Sequence, residues 1–496
     1  MFSFGASAQA EAAPEGTVTF ALHYSLPSRW LDPAESESII TPYLTLYALH
    51  DALLKPMPGA MIAPSLAESW TMSKDGLTVD FTLRPKIRFH NGDPVTPEDV
   101  KFSFERYKGG AATLFKDTVK EIQILGPTRL RFVLKRPWPD FPAFYGTMVA
   151  SPGWVVPKRY FERVGEEGFR QAPIGAGPYK FVSFKPGVEL VLEAFDGYWR
   201  KTPSIKRLVF RILPDETTRA AALKSGEVDV AFLLSGPTAE EIRRTPGLRL
   251  VAPLLGIFWL DFPDQWNPKS PWADRRVRLA ASLAVDRGAL SQAETLGLSR
   301  PTGSIVPRDF EFALPFEAHA YDPKRARQLL VEAGYPNGFD GGDLTPFPPY
   351  TAMGESIMGW LQAIGVRTRL ATMERAAFLS AWREKKLHGV VLTITGVAGN
   401  AATRLDQFVT VAGAFAFGAR PDVDDLFRQQ AKELDHTKRE ALLHQIQRIL
   451  HEQVTQAPIY HLAFPIGLGP RVEDIVANGI SGFYMAPYED LKLRRP

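Results

Sequence analysis

The chain has 496 residues, 45% of them hydrophobic and 23% charged, which is too long for one core and predicts two or three domains. Its 58 Lys and Arg against 55 Asp and Glu leave a net charge of +3, so there is no one-signed field of the kind that selects nucleic acid. The absence of cysteine excludes a disulfide framework, a thiol nucleophile, a cysteine zinc site and a lipid-anchoring cysteine.

Residues 2–10 read FSFGASAQA and contain Ala6-Ser7-Ala8 and Ala8-Gln9-Ala10, the small-x-small spacing that a signal peptidase needs. Residues 1–13 are therefore expected to be a signal-peptide remnant or a disordered tail, and the chain to be exported. No run of about 18 uncharged apolar residues follows, so no membrane-spanning helix is expected.

Residues 17–23 (TVTFALH) predict a first strand, with His23 where it leaves the sheet and Tyr24 and Trp30 in the loop beyond. Loops at strand ends are favoured places for function. Helical spacing over 41–54 is broken by Lys55-Pro56-Met57-Pro58-Gly59. Strands are expected at 78–83 and 87–89, the second closed by Asn91-Gly92. Thr96 then caps a helix that has Pro97 first and Glu98 and Asp99 in its first turn.

In 173–234, Pro186-Gly187 joins runs 180–184 and 188–193 into a hairpin, and Leu208, Phe210 and Ile212 alternate with Arg207, Val209 and Arg211 in a strand over 205–213. Asp215 caps a helix over 216–224, Gly226 ends it, and 228–234 is a short strand. Strand, helix and strand with short links imply a right-handed parallel crossover, and ligands of such sheets sit beyond the carboxyl ends of the strands. A second α/β block is expected at helix 350–364, strand 366–371, helix 374–386 and strand 390–395, with helices near 424–434 and 437–454 completing it.

Several long motifs occur in a fixed order: PSLAESWTMSKDGLTVDFTLRPKIRFHNGDPVTPEDVKFSFER at 64–106, Gly175-Ala176-Gly177-Pro178-Tyr179, Asp196-Gly197-Tyr198-Trp199, Gly226 to Asp229, Trp272 to Arg278 ending at Asp286-Arg287, and Tyr321-Asp322-Pro323 to Pro336. Together they resemble the family 5 extracellular solute-binding proteins of ABC importers, over essentially the whole mature chain. The resemblance implies a two-lobed α/β periplasmic binding protein of type II, the venus-flytrap fold, with an extra subdomain inserted in the first lobe. The implied division is 14–50, 174–262 and 465–496 in lobe I, 51–173 in the inserted subdomain, and 263–464 in lobe II. The implied partners are a small-molecule ligand and the permease and ATPase subunits of an importer, for a periplasmic monomer that carries no cofactor.

No Gly-x-Ser-x-Gly elbow, phosphate-cradling Gly-x-x-x-x-Gly-Lys, Gly-x-Gly-x-x-Gly or His-Glu-x-x-His occurs, so the chain is expected not to be an enzyme. A hydrolase on a borrowed scaffold, or a periplasmic sensor or chaperone, are the competing classes. His436, His444 and His451 sit among charged residues on an amphipathic helix, and a solvated face is expected rather than a metal site. Asp422, Asp424 and Asp425 are expected to cap a helix.

The candidate ligand-binding residues are His23, Tyr24, Trp30, Trp259, Asn400, Arg404 and Asp406. Trp259, in GIFWLDF at 256–262, is open between a cleft wall and a core position. Residues 393–408 (TITGVAGNAATRLDQF) align with the loop by which dipeptide receptors hold an ammonium group on an aspartate. Here Asn400, Ala401 and Ala402 stand at that place and Asp406 comes later. Residues 345–350 likewise lack the arginine that pins a peptide carboxylate in those relatives. A small organic or peptide-like solute is expected, not a generic dipeptide. Arg404 is open between a bidentate grip on a ligand carboxylate and a bridge to Asp406.

Overall fold

Strand Glu15–Leu22 lies between Ile205–Ile212 and Val230–Ala231, parallel to both. The structure, a computed structural model, describes residues 13–35, 43–58, 60–109, 112–148, 153–395, 399–475 and 487–494. Residues 1–12 of the candidate leader or tail at 1–13, and residues 396–398 of the 393–408 loop, lie outside them.

The first sheet runs in the order Arg249–Val251, Ile466–Leu468, Val230–Ala231, Glu15–Leu22, Ile205–Ile212, Glu189–Ala194 and Tyr179–Lys185. The expected hairpin is Tyr179–Lys185 with Glu189–Ala194, paired antiparallel. The expected crossover helix is Glu216–Ser225. Asp215 accepts from the Thr218 amide over 2.7 Å, and Gly226 closes the helix at φ 78°, a left-handed turn that glycine takes without a Cβ penalty. The strand expected over 228–234 shortens to Val230–Ala231, and Leu233 turns left-handed just beyond it.

The second sheet runs in the order Arg300–Pro301, Gln456–Ala463, Leu254–Asp261, Val390–Thr395, Phe339–Pro346 and Val366–Leu370. A third sheet, wholly antiparallel, is Ala67–Met72, Thr78–Leu83, Arg129–Leu134 and Val119–Ile124.

Two local expectations differ from the structure. The expected helix over 41–54 ends at Leu49, because Leu54–Met57 pairs with Ala60–Pro64 across the supposed break. The expected strand at 87–89 reduces to a single bridge between Arg88 and Pro94.

The chain passes between the two large sheets twice. Arg249–Val251 leads through Ala252 and Pro253 into Leu254–Asp261, and Gln456–Ala463 leads through Phe464 and Pro465 into Ile466–Leu468. These two crossings lie side by side, since Val251 pairs with Ile466 and Leu254 with Ala463.

The antiparallel sheet is fixed to the first large sheet by buried polar groups. The Asp51 carboxylate accepts from Tyr198 Oη (2.9 Å), Trp199 Nε1 (2.7 Å) and Ser65 Oγ (2.7 Å), and pairs with Lys55 Nζ at 3.0 Å. His90 Nε2 donates to the Gly177 carbonyl (3.0 Å) and its Nδ1 accepts from the Gly175 amide (3.2 Å). That pattern needs a neutral ring, and burial holds the His90 pKa down to about 3. The Gly-x-Gly motif is explained by approach: a Cβ on Gly175 would lie 2.1 Å from the Leu49 carbonyl oxygen.

Candidate functional site

His23 follows the last residue of the central parallel strand, at the carboxyl edge where open α/β sheets bind ligands. Its ring meets Tyr24 edge-on at 5.2 Å and Phe464 at 5.6 Å, and Tyr24 meets Trp30 at 6.1 Å. The sequence candidates His23, Tyr24 and Trp30 are thus brought together in one aromatic run beside the hinge. Within it, His23 Nδ1 and Trp30 Nε1 are buried and have no hydrogen-bond partner. Such orphaned polar atoms cost free energy unless something else satisfies them, and here two of them stand close together at the end of a sheet strand, where a bound group could complete them.

The electrostatics of His23 bring in residues that sequence reasoning missed. Its pKa is lowered to about 3, first by burial and then by the positive charges of Arg219 and Arg375. Arg219 is committed to structure: its guanidinium donates to the carbonyls of Leu213, Pro214, Phe232 and Leu233. These are the groups left over where the strands of this sheet end, so one buried cation satisfies an edge that no neighbouring backbone reaches.

Arg375 comes from the elements around the second sheet. It opens helix Arg375–Arg383, beside the second sheet, and its guanidinium stands 5.3 Å over the Phe347 ring. The residue is exposed. The expected terminal strand at 390–395 and the helix before it carry this face as anticipated, but nothing in the local sequence marks Arg375 as facing His23. Tyr350 stands on the same side, packed edge-on against Phe258 at 4.8 Å.

The other candidates lie elsewhere. Trp259 is fully buried at the centre of the second sheet, between Thr393 and Pro458. Its Nε1 donates to Asp261 Oδ2 over 2.8 Å and its ring meets Phe408 at 5.2 Å. Asp261 is itself pushed up to about 7, chiefly by burial.

Asn400 caps helix Ala401–Val409 by accepting from the Thr403 amide, and its Nδ2 donates to Asp140 Oδ1 over 2.5 Å. Arg404 is buried, with its guanidinium 5.5 Å from the Phe310 ring and 5.7 Å from Phe408. Burial lowers its pKa to about 9, and Asp309 opposes that. The alternative of a surface bridge to Asp406 does not fit a side chain so enclosed. Asp406 is pushed up to about 6, first by burial and then by the Asp140 carboxylate, with Arg136 opposing.

Among the described residues, no group of three or more His, Asp or Glu side chains is placed to hold a metal. His436 Nε2 lies 3.2 Å from Glu311, whereas His444 Nε2 is buried without a hydrogen-bond partner, 3.9 Å from Glu440. The solvated-face expectation is corrected for His451, which stacks on Phe316 at 4.2 Å and donates from Nδ1 to the Gly303 carbonyl. Ser282 and His319 hydrogen-bond at 2.8 Å, but Ser282 is fully buried and also accepts from Arg287, so no substrate reaches it.

A sheet edge with unfinished polar atoms, facing a second lobe across a two-strand hinge, defines a two-lobed binding protein of the venus-flytrap type, with a subdomain inserted in the first lobe. The chain belongs to the family 5 bacterial extracellular solute-binding proteins: residues 61–415 match the family described as "Bacterial extracellular solute-binding proteins, family 5 Middle". It is similar to the heme-binding protein A of Haemophilus influenzae, 28% identical over 470 residues (85% of this chain, 83% of the relative). It is also similar to the dipeptide-binding protein of Escherichia coli, 28% identical over 439 residues (81% of each). Among solved structures, the periplasmic binding protein DppA of Helicobacter pylori in complex with a peptide superposes with a TM-score of 0.78 at 23% identity, covering 97% of this chain and 98% of that one. The substrate-binding protein CtaP of Listeria monocytogenes gives 0.83 at 20% identity, covering 97% and 100%.

Proteins of this family take a peptide or other small solute outside the cytoplasm and deliver it to the permease of an ABC importer, and this chain is such a solute-binding protein. Among the described residues no helix is long and apolar enough to cross a membrane.

Proposed function

We propose that the solute is a small organic or peptide-like compound bearing a carboxylate or comparable acceptor, gripped between His23, Tyr24 and Trp30 on one lobe and Arg375 on the other. The observation that carries this reading is the pair of buried, unpartnered ring nitrogens, His23 Nδ1 and Trp30 Nε1, in the run that Arg375 faces. An indole N–H only donates, so the group that completes it must accept. Arg375 supplies a cation to the same region, and aromatic faces add apolar area at low entropy cost. Relatives whose names include dipeptide, glutathione and heme binding span peptide-like and carboxylated ligands, in keeping with this class.

Binding is non-covalent. A ligand touching both lobes favours the closed arrangement by its difference in affinity for the closed and open states. The protein works as a monomer in the periplasm after export, divided as the motifs imply except that Leu254–Asp261, paired with Val390–Thr395 and Gln456–Ala463, goes with the second lobe, with a permease and ATPase pair as its membrane partners. Trp259, Asn400, Arg404 and Asp406 support the wall from behind on this reading, through Phe408 and the start of helix Ala401–Val409.

Native mass spectrometry of the protein as purified tests the class of ligand directly, followed by thermal-shift titration with monocarboxylated compounds and their amides. The expected result is an intact, unmodified ligand and stabilisation by acids over amides, weakened in Trp30→Phe and Arg375→Met. General binding of unblocked dipeptides with no such preference, or chemical turnover of the ligand, would sink the proposal.

A further inference from the structure

The inserted subdomain meets the second lobe at a buried ionic contact that involves no ligand. Asp140 lies in the loop after strand Arg129–Leu134, next to Phe141 in the aromatic core of the subdomain. Its carboxylate accepts from Asn400 Nδ2 on one oxygen and is ion-paired with Arg439 on the other. Arg439 Nε donates in turn to Gln430 Oε1 over 3.0 Å. Asp140, Asn400, Gln430 and Arg439 are each less than one tenth exposed.

The apolar rim of the same contact is equally tight. A Cβ at Gly76 would stand 3.1 Å from Pro137 Cβ and 3.2 Å from Leu434 Cδ2, so Leu434 of the second lobe rests on the subdomain's Gly76 turn. The charge of Asp140 also reaches the Asp406 carboxyl, with Arg136 opposing it.

The subdomain is bolted to the first lobe through Asp51 and His90, so it must travel with that lobe when the cleft opens. Opening at the hinge would therefore pull Asp140 away from Arg439. We infer that Asp140 is a closure-positioning residue: its bond to Arg439 and Asn400 forms only in the closed protein and sets how much of the closed state exists before any ligand arrives. A ligand then binds a population already biased toward closure, and its apparent affinity rises by the fraction that is competent. Nothing in this inference depends on which solute fills the cleft.

A cysteine-free chain permits a clean test by spin-label distance measurement on the unliganded protein. Lys120→Cys on the subdomain and Arg448→Cys on the second lobe are both exposed positions for labels. The wild-type background should show a populated short distance. Asp140→Asn and Arg439→Met should each lower the ratio of short to long distances roughly tenfold, as loss of a charge-assisted hydrogen bond implies. The double variant should open less than the sum of the two singles, because the Asp140–Arg439 pair is lost in both. Leu434→Ser, at a partly exposed position, should shift the same ratio in the same direction, and it covers the case in which a buried variant fails to fold. Unchanged distance distributions in the folded single variants, additive effects in the double variant, or no response to Leu434→Ser would each overturn the inference.

Discussion

The Phe464 amide donates to the Pro253 carbonyl over 2.8 Å, tying together the two segments by which the chain passes between its large sheets. One crossing alone would swivel, whereas two held side by side restrict the lobes to a hinge. Phe464 is 2% exposed and its ring also braces His23, so the hinge and the candidate ligand wall share a side chain.

Phe464→Ala should therefore cost about 3 kcal/mol of stability through lost burial and the cavity left behind. It should also weaken ligand binding beyond what the Trp30→Phe change does. Chemical denaturation and isothermal titration on the same preparations separate the two effects.

Asp51 is the node that joins the inserted subdomain to the first sheet, with no exposed surface. Asp51→Ala should destabilise the protein by about 3 kcal/mol or more, because it strands the buried Lys55 ammonium and leaves Tyr198 and Trp199 without their acceptor. Lys55→Met in the Asp51→Ala background should recover part of the loss. A denaturant melt of the three proteins checks both expectations.

Gly175→Ala places a methyl group 2.1 Å from the Leu49 carbonyl oxygen and 2.6 Å from His50 Nδ1, and both neighbours are packed in place. The expected cost is about 1–3 kcal/mol of overpacking. Gly187→Ala, where nothing lies within 4 Å, is limited to the strain of its positive φ and serves as the control in a thermal melt.

Stability should fall on acidification from pH 6.5 toward 4. His50 is fully buried, donates from Nε2 to the Leu31 carbonyl, and has its pKa lowered to about 4, chiefly by burial. The unfolded chain takes up its proton near 6.5, before the folded one does, so the contribution is present above 6.5 and is lost as pH falls. His23, His90, His319 and His461 are lowered in the same sense. Asp261 and Asp406, raised to about 7 and about 6, act oppositely and lose stability as pH rises through those values. With more histidines than such carboxyls, the net loss is on the acid side. His50→Gln should shrink the stability difference between pH 7 and pH 5 by about 2 kcal/mol, read from urea midpoints at the two pH values.

Much of the fold was legible because the signals concerned were local. Asp215 before Thr218, Gly226 after Ser225, the Pro186-Gly187 turn and the alternation through Ile205–Ile212 each act on backbone within a few residues, so short stretches specify them. Asp286 capping Ala289, and Asp322 before Pro323 capping Arg325, show the same for the family motifs. The strand hidden in Lys55-Pro56-Met57 was not legible, since its partner Ala60–Pro64 and the buried Asp51 that neutralises Lys55 are tertiary facts.

By itself the sequence determined the elements, the two α/β blocks, the resemblance to a family and the grouping of His23, Tyr24 and Trp30 along one short loop. Only the tertiary structure decided what faces them. Asp140 meets Asn400 and Arg439 from 260 and 299 residues away, and the charge of Arg375, at the head of helix Arg375–Arg383, acts on His23. Trp259 and Arg404 carry the residue types of a binding wall yet lie enclosed at the centre of the second lobe. The reason is physical: a cap or a turn is settled by its own neighbours, whereas a cleft is made of whichever side chains two independently folded lobes bring to a shared hinge.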